Sequence, residues 1–563
     1  MMVRHLLSLG AALGLLASAT MAKEMPVNEE LAAIWYDSGL AHEESMHHKS
    51  ELWRMEREMG LMDSENYPEL GYHACTNGWI EAIPGDRMHT FRCDQMDLYH
   101  FLSHGALNSS GQGSGTWGWV SDDGREFAAI GQEDGAAFVE IKDGKLVLVA
   151  RLLSRLRLWL ATGERWYVFV AKSYKNYMVI GSEAVAHGIQ IFDMTKLLDI
   201  DVEAAGPVIF DPIADLSGYT NDLPIGRSHN VVVNEERDYM VAVGSQPRND
   251  SCRAGLIFFD ITDVANPVRQ GCAADDGYVH DAHCLVYRGP DKRYDGKDIC
   301  YGYNEDSLTI YDVSDKTTTN LISRTSYEGV NYTHQGWVTD VNNQEFLLMN
   351  DERDERYRAG PASDGFPVVY VWDIRDLENP KQTGTYEYPT RAIDHNLYIK
   401  DGIMFQSNYG NGYQLMDVSS IGPSDPTGSG ICRAAFIDIY PEDDNVAGGG
   451  IIEFVGTWSS WGWFPSGYHV VNTIERGVFL VKPTSLKCPP APTCNADNCL
   501  RAMRAESVGG RLEESQEFCA TYTANLVTEV SVLPEYATKA CTGDAISRVS
   551  SACACIPTVA PTN

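Results

Sequence analysis

The chain has 563 residues, a formal net charge of -34 and 44% hydrophobic residues. This length allows a large hydrophobic core and more than one domain. The acidic balance argues against nucleic acid or an anionic membrane as a partner, because either would need a basic face. Solubility of an exported acidic protein accounts for the charge.

Residues 1–22 have the pattern of a secretory signal peptide. A charged start and an apolar stretch lead to Thr20-Met21-Ala22, so the mature chain is expected to begin at Lys23. No later apolar run reaches the roughly 18 residues of a membrane helix, and a hydrophobic tail for a lipid anchor is missing from the C-terminus. We therefore expect a secreted, extracellular protein that can associate with a cell surface.

Fourteen cysteines in an exported chain predict disulfide bonds. Seven precede residue 480 and seven follow it, so either one bridge joins the two parts or each part keeps a free thiol. The sequence positions suggest three pairs, Cys75 with Cys93, Cys252 with Cys272, and Cys284 with Cys300. Three sequons predict a glycoprotein, at Asn108, Asn249 and Asn331.

Residues 23–95 are predicted to form a helical and loop extension before the main domain. Apolar residues recur there at helical spacing among charged ones, at Leu31, Ile34, Trp35, Leu52, Met55 and Met59. The same stretch contains His42, His47 and His48. These histidines allow a metal site, but we favour an exposed position on a solvated helix.

A repeated pattern then places His or Trp at the start of a strand, and Tyr332-Thr333-His334-Gln335-Gly336-Trp337 is its clearest case. The positions are Trp117, Trp166, His229, His283, His334 and His395, spaced 49, 63, 54, 51 and 61 residues apart. A period of about 40–50 residues, lengthened by insertions, is typical of the blades of a β-propeller. Residues 96–483 are therefore predicted to form an all-β propeller.

The third strand of each repeat ends on an aspartate between apolar residues, at Asp193, Asp260, Asp312, Asp373 and Asp417. We expect these side chains to cap the turn that follows rather than to bind metal. The last repeat stops without an outer strand, and residues 97–104 form a strand with no repeat of their own. Pairing the two closes a ring of seven blades and leaves no open edge, with six or eight blades as the alternatives.

Residues 484–563 change in character to a linker and a cysteine-rich tail. Pro489, Pro490 and Pro492 are typical of a linker. Seven cysteines follow within a short polar segment, and helical patches are predicted near 497–504 and 512–526.

Several motifs resemble the secreted "choice-of-anchor B" proteins with LVIVD-type repeats. They are Asp275-Asp276-Gly277-Tyr278-Val279-His280-Asp281-Ala282-His283, Tyr332-Thr333-His334-Gln335-Gly336-Trp337, Ile393-Asp394-His395-Asn396-Leu397-Tyr398 and Ile474-Glu475-Arg476-Gly477. The resemblance covers residues 90–483 and implies a β-propeller in an extracellular setting, without an assigned reaction. The tail is similar to a cysteine-rich C-terminal segment of fungal exported proteins.

The ring geometry brings the starts of the inner strands to one mouth of the channel, together with the ends of the second strands. We therefore expect imidazoles and carboxylates to lie close together at this mouth. Together they form a set of donors that suits a divalent transition metal. The candidate metal ligands are His229, His283, His334, His395, Glu183 and Asp306. The alternative is that these histidines only hold neighbouring blades together or bind ordered water.

Aromatic side chains offer a second kind of site. The candidate ligand-binding residues are Trp117, Trp166, Trp337 and Trp461, and the segment 457–464 is expected to be exposed. Exposed rings can stack on sugars or contact a protein partner.

The sequence thus supports two functions. The first is a monomeric extracellular module that binds a ligand or a cell-wall or surface component. The second is a metal-dependent hydrolase that works at the histidine mouth of the channel.

Overall fold

We analysed a computed structural model, which describes residues 23–109, 111–155, 169–446, 448–488, 494, 497–505, 508–522, 527, 529–543 and 545–556. The predicted signal peptide and Trp166 lie outside the described residues. Within those ranges, no helix is both long and apolar enough to span a membrane.

The described residues form eight α-helices: α1 Glu29–Leu31, α2 Leu40–Glu58, α3 Val202–Ala205, α4 Asp354–Tyr357, α5 Asn498–Met503, α6 Arg511–Tyr522, α7 Glu535–Ala540 and α8 Ala545–Cys553. The first strands are β1 Glu24–Met25, β2 Trp79–Glu81, β3 Thr90–Asp94, β4 Met96–Ser103, β5 Gly113–Val120, β6 Glu126–Gln132, β7 Gly135–Lys142, β8 Lys145–Leu153, β9 Phe169–Tyr174, β10 Tyr177–Ser182, β11 Ile189–Asp193, β12 Val208–Phe210 and β13 Gly218–Thr220. The next are β14 Asn230–Asn234, β15 Tyr239–Val243, β16 Leu256–Asp260, β17 Val268–Ala273, β18 Asp281–Val286, β19 Asp298–Tyr303, β20 Leu308–Asp312, β21 Asn320–Tyr327, β22 Thr333–Val338 and β23 Phe346–Asp351. The last are β24 Val368–Asp373, β25 Lys381–Glu387, β26 Leu397–Lys400, β27 Ile403–Ser407, β28 Tyr413–Asp417, β29 Cys432–Asp438, β30 Thr457–Trp461, β31 His469–Thr473 and β32 Gly477–Pro483.

Seven sheets form the blades of a propeller, as the repeats predict, and all their strand pairs are antiparallel except β12 with β8 in the first blade. The inner strands are β5, β9, β14, β18, β22, β26 and β30, and the outer strand of the seventh blade is β4. Phe101 of β4 pairs with Phe479 of β32, and their rings lie 4.5 Å apart. The N-terminal strand therefore closes the ring, and seven blades is confirmed as the count.

The hydrophobic core lies in layers between neighbouring blades. Leu348 and Val371 of the fifth blade, for example, pack with Leu397 and Met416 of the sixth, and all four are fully buried. Each such side chain contributes about 1.5–3 kcal/mol by leaving water. Because both faces of a central strand are covered, β15 is apolar along its whole length, and β10 is apolar up to its last residue, Ser182.

The recurring aspartates cap turns, as expected. The side chain of each accepts a hydrogen bond from the backbone N–H two residues later, at 2.8–3.1 Å, in Asp193, Asp260, Asp312, Asp373 and Asp417. This local bond fixes the start of the connection to the next strand. It explains the repeat without any metal.

All fourteen cysteines are paired, in seven disulfides. The three predicted pairs are present, and Cys432–Cys488 is the bridge that joins the body to the tail. The tail contains the two predicted helices, as α5 and α6, and also α7 and α8, which the sequence analysis missed. Three further disulfides hold these helices around a small core, Cys494–Cys555, Cys499–Cys541 and Cys519–Cys553.

The N-terminal extension adds structure to the propeller. Strand β1 pairs with β21 in the fourth blade, and β3 pairs with β29 in the sixth. Helix α2 lies across the end of the channel where the inner strands begin. It contacts both the fifth and the first blade, through Lys49 to Glu352 at 2.7 Å and Arg57 to Glu133 at 3.0 Å.

The face of α2 that packs on the propeller is mostly polar. The buried positions follow helical spacing, at His42, Ser45, Lys49, Trp53 and Glu56, whereas Ile34 and Met59 are exposed. Imidazoles and carboxylates line the channel mouth, so polar side chains are the ones that find partners there. The expectation that His42 is an exposed residue is therefore wrong, because it is buried against Tyr332.

Candidate functional site

Four histidines form a continuous row at the channel mouth under α2. The centroids of successive rings lie 4.1, 4.3 and 4.8 Å apart from His229 to His280, to His334 and to His395. Each ring comes from the start of one inner strand in four consecutive blades. The row thus brings together three of the four predicted histidines and adds His280.

His283 lies elsewhere, and its predicted place in the row is wrong. It lies three residues further along β18, where its ring stacks on that of Trp337 with 3.7 Å between centroids. One sequence signal separates the two positions. Every histidine of the row precedes an amide or acid residue, in His229-Asn230, His280-Asp281, His334-Gln335 and His395-Asn396, whereas His283 precedes Cys284.

The hydrogen bonds of the row fix the proton on two of the rings. His280 Nδ1 donates to the backbone carbonyl of His334 at 2.9 Å, and His395 Nδ1 donates to that of Trp458 at 2.8 Å. A carbonyl only accepts, so in the neutral imidazole Nε2 keeps its lone pair. Burial lowers the pKa of His334 to about 4 and those of His280 and His395 well below their usual value, so the rings are neutral near neutral pH.

Glu352 faces this row. Its Oε1 lies 3.9 Å from His334 Nε2 and 3.6 Å from His395 Nε2, and the three ligand atoms lie within 4.8 Å of one another. Burial acts to raise the pKa of Glu352, but the Lys49 ammonium and the imidazoles hold it well below the usual range. Two neutral imidazoles beside an ionised carboxylate form a donor set that suits a divalent transition metal.

A cation already contacts this carboxylate. Lys49 Nζ donates to Glu352 Oε1 at 2.7 Å, and the Tyr409 hydroxyl donates to the same oxygen at 2.6 Å. The ammonium also lies 4.5 Å from the centre of the Phe454 ring. Lys49 therefore competes with any metal for Glu352. Sequence reasoning missed Lys49, and the available signal was the polar helical spacing of His42, Ser45 and Lys49.

The fourth histidine of the row, His229, pairs with Glu183. Its Nδ1 lies 2.7 Å from Glu183 Oε1, and this contact with His229 keeps the pKa of Glu183 well below its usual range despite burial. The structure thus brings together His229 and Glu183, two of the predicted metal ligands. This pair lies apart from the His334, His395 and Glu352 cluster, since His280 stands between His229 and His334.

A cleft of about 960 Å³ opens between α2 and the second and third blades, above Glu183. Its lining includes His42, Glu183, Arg227, Arg248 and Asn249. Arg248 is satisfied, because its guanidinium donates to both oxygens of Glu305 at 2.7 and 2.9 Å.

Arg227 differs from Arg248 in this cleft. Both arginines have a buried Nε without a partner, but the Nη groups of Arg227 form no hydrogen bond in the described structure, and Nη2 lies 3.8 Å from Glu183 Oε1. The guanidinium has five donors in a fixed plane. The cleft therefore contains a cationic group that can accept a further anionic partner.

Asp306 does not lie with the other predicted metal ligands. The structure places it beside Asp276 and 3.4 Å from Arg324 Nη2, and burial raises its pKa to about 7. Glu305, next to it, is held by Arg248. Neither carboxylate contacts the histidine row in the described structure.

At the other end of the channel, three of the predicted tryptophans meet. Trp117 lies 4.3 Å from Trp461, and Trp337 lies 6.2 Å from Trp463, which contacts all three. Lys172 Nζ covers the Trp117 ring at 4.2 Å. Trp463 thus fills the space between the rings that a ligand would enter.

The expectation that segment 457–464 is exposed is wrong for most of its aromatic residues. Trp458, Trp461 and Phe464 are 5%, 7% and 4% exposed, because β30 is an inner strand covered by both neighbouring blades. Ligand binding by Trp117, Trp337 and Trp461 remains a prediction, and only Trp117 and Trp337 of these are partly exposed.

Between the two ends, polar side chains surround a cavity of about 30 Å³. Its lining includes Asn230, Gln335, Asn396 and Ser459. A cavity of this size with several polar partners has room for ordered water and for no larger ligand.

Neither a protein-family model nor a curated protein matches the chain. The assignment of the candidate site therefore depends on its geometry alone.

Proposed function

We propose that the protein is an extracellular binding protein whose ligand occupies the cleft above Glu183. The observation that carries this proposal is the cleft of about 960 Å³ that contains the Arg227 guanidinium, whose Nη2 lies 3.8 Å from Glu183 Oε1, beyond hydrogen-bond distance. Clefts of about 300–1,000 Å³ with a few convergent polar groups are the usual sites of small ligands. The aromatic end, by contrast, is filled by Trp463.

The extracellular setting rests on the cysteines. Seven disulfides that use all fourteen cysteines suit an oxidising compartment. The resemblance to the choice-of-anchor B proteins supports the same setting and leaves the ligand open. Membership of that family is part of the proposal.

The ligand class follows from the groups in the cleft. A free guanidinium prefers the oxygens of a carboxylate or a phosphate, with which it forms paired hydrogen bonds. Asp37, Glu43 and Gln246 at the lining can accept or donate hydrogen bonds to hydroxyl or amino groups. We infer a small polar acid that carries such groups beside its anionic end.

A titration series tests this function. A panel of phosphate, dicarboxylates, uronic acids and acidic amino acids is screened by thermal shift, and the strongest binder is measured by isothermal titration calorimetry. Arg227→Gln is expected to weaken binding by about ten- to a hundredfold, since a charged hydrogen bond contributes about 1.5–3 kcal/mol.

Arg288→Gln is the matched control, because Arg288 pairs with Glu236 at 2.6 Å on the surface. It is expected to bind like the wild type. Failure of the whole panel to bind, or equal binding by Arg227→Gln, contradicts the proposed cleft.

The second candidate function is metal-dependent hydrolysis at His334, His395 and Glu352. The specific observation in its favour is the pair of neutral imidazoles beside an ionised carboxylate. A metal bound there would supply an activated water. Two features weigh against it: Lys49 already neutralises Glu352, and α2 covers all three residues, which are at most 3% exposed.

Metal analysis of three proteins tests this candidate. If the site is used, the wild type holds one equivalent of Zn²⁺ or Mn²⁺, and His334→Ala loses it. Lys49→Met removes the competing ammonium and is expected to bind more tightly. No metal in the wild type after addition of Zn²⁺ or Mn²⁺ counts against the enzyme, and bound metal without turnover of esters, lactones or phosphoesters leaves a structural site.

A further inference from the structure

A second group of buried carboxylates lies between the fifth and sixth blades, apart from the cleft and next to the His395 end of the histidine row. Glu355 in α4 and Asp394 before β26 are both fully buried. The backbone N–H of Asp394 donates to Glu355 Oε1 at 2.9 Å, which holds the two side chains next to each other. Glu355 belongs to the connection between β23 and β24, and Asp394 to the connection between β25 and β26.

Each carboxylate keeps one oxygen without a partner. Asp394 Oδ1 accepts hydrogen bonds from the backbone of His395 and from Gln406 Nε2, but Asp394 Oδ2 and Glu355 Oε2 are buried with none. A buried carboxylate oxygen without a hydrogen bond is costly, so such atoms indicate a missing partner.

A buried amide points to the same place. Asn408 is fully buried, and its Oδ1 has no hydrogen-bond partner. It directly follows β27, the strand that contains Gln406. Gln406 donates to Asp394 and accepts from the Tyr388 hydroxyl, which also contacts the Asn408 side chain, so Asn408 belongs to the same buried polar group as this carboxylate.

The negative charge of the pair has no cation among its nearest charged neighbours in the described structure. Burial raises the pKa of both carboxyl groups most, and the next cause is Asp354 for Asp394 and Asp394 for Glu355. The arginines beside α4 point away from the pair. Arg353 donates to the backbone of Ala41, and Arg356 to Glu453 at 3.1 Å.

We propose that Glu355, Asp394 and Asn408 are ligands of a buried divalent cation, and that this cation is Ca²⁺. The free oxygens Oε2 of Glu355, Oδ2 of Asp394 and Oδ1 of Asn408 are all hard donors, without nitrogen or sulfur among them. Ca²⁺ takes six to eight such oxygens and tolerates irregular geometry, whereas Mg²⁺ requires a near-octahedral set.

The site has a consequence for the mouth of the channel. Helix α4 carries Glu355 and directly follows Glu352 and Arg353, which contact Lys49 and Ala41 of the N-terminal helix. A cation on Glu355 therefore holds the segment on which α2 rests. Loss of the cation is expected to loosen α2 along with the fifth blade.

The experiment measures bound metal and melting temperature on the full chain. The protein is dialysed against metal-free buffer with EGTA, then against excess CaCl₂ or MgCl₂, and analysed by plasma mass spectrometry and calorimetry. We expect one equivalent of Ca²⁺ per chain and a melting temperature several degrees higher with CaCl₂ than with EGTA, and less effect from MgCl₂.

Two variants assign the site. Glu355→Gln with Asp394→Asn keeps the shapes, removes the charges and is expected to lose both the equivalent of Ca²⁺ and the calcium dependence of melting. Asn408→Leu is expected to weaken Ca²⁺ without changing the carboxylates. Asp443→Asn, in the separate buried acid group beside Arg92, is the control and should keep both properties.

The outcomes are distinct. The proposal is overturned if the wild type binds no Ca²⁺ and melts alike in EGTA and CaCl₂, in which case the pair shares protons. It is also overturned if the double variant retains Ca²⁺ while Asp443→Asn loses it. Neither result bears on Arg227 and the cleft, so the two proposals fail separately.

Discussion

Lys49 brings an ammonium group into the buried mouth of the channel, where Glu352 is its hydrogen-bond partner at 2.7 Å. Both side chains are almost fully buried. Removing one member of a buried ion pair leaves the other charge without compensation and costs about 3–5 kcal/mol. The pair is therefore important for keeping α2 in place.

Lys49→Met is expected to lower the free energy of unfolding by about 3–5 kcal/mol through the uncompensated Glu352. Denaturant titration measures the loss. The double variant Lys49→Met with Glu352→Gln should recover a large part of it, because no charge is then left buried. Equal stability of Lys49→Met and wild type would show that the ion pair does not hold the helix.

In the structure Trp461 packs against neighbouring aromatic rings, although the sequence analysis predicted that it contacts a ligand. Its ring lies 4.3 Å from Trp117 and 4.8 Å from Trp463. Trp461→Ala is expected to cost about 3–5 kcal/mol of stability by leaving a cavity. Chemical denaturation followed by ligand titration checks this, and weaker binding to a wall polysaccharide with unchanged stability would favour the original prediction.

Helix α2 packs on the propeller through a mostly polar face, which the helical spacing of its apolar residues does not indicate. Trp53 is 1% exposed, whereas Met59, directly after the helix, is 66% exposed. The long-range partners of the helix decide this, since Trp53 Nε1 donates to the carbonyl of Phe454 at 2.8 Å. Such partners lie 401 residues away and leave no local trace.

A pair of substitutions tests the orientation. Met59→Gln is expected to leave stability within about 0.5 kcal/mol, as for most exposed positions. Trp53→Ala is expected to cost about 3–5 kcal/mol because the site is closed. Thermal denaturation of both variants compares them, and a larger loss from Met59→Gln than from Trp53→Ala would reverse the assigned faces.

The blade architecture could be predicted because its signals are local and repeated. The five capping aspartates and the orphan strand β4 marked the repeats and the closure of the ring without any distant information. The candidate site was harder. His280 and His283 lie on one strand three residues apart, and the spacing to the next blade could not decide which faces the mouth.

Other parts of the site depend on contacts that sequence spacing does not contain. Arg227 and Arg248 both line the cleft, but only the fold shows that Glu305 satisfies one of them. Lys49 reaches Glu352 across 303 residues. The propeller brings these residues together from distant parts of the sequence. Their contacts can therefore be identified only once the fold is known.

At the scale of the whole molecule, buried acids predict a pH dependence. Burial and the neighbouring Asp438 raise the pKa of Asp443 to about 9, above its value of 3.8 in the unfolded chain. The folded state therefore binds this proton more tightly, so its contribution to stability is present at low pH and is lost as pH rises through about 9. Burial lowers the pKa values of His280, His334 and His395, so these rings do not titrate above neutral pH.

Calorimetry from pH 7 to pH 9.5 checks the sign. The wild-type melting temperature is expected to fall across this range, and Asp443→Asn should show a shallower fall because it cannot ionise. A flat wild-type profile, or the same slope in the variant, would contradict the buried, protonated state of this group.

The cleft between α2 and the second and third blades is the ligand site that we propose. The most direct test is a crystal structure of the protein soaked with the acid that gives the largest thermal shift. We predict difference density in the cleft, with anionic oxygens within hydrogen-bond distance of the Arg227 guanidinium. Density at the aromatic end beside Trp117 and Trp337, with an empty cleft, would contradict it.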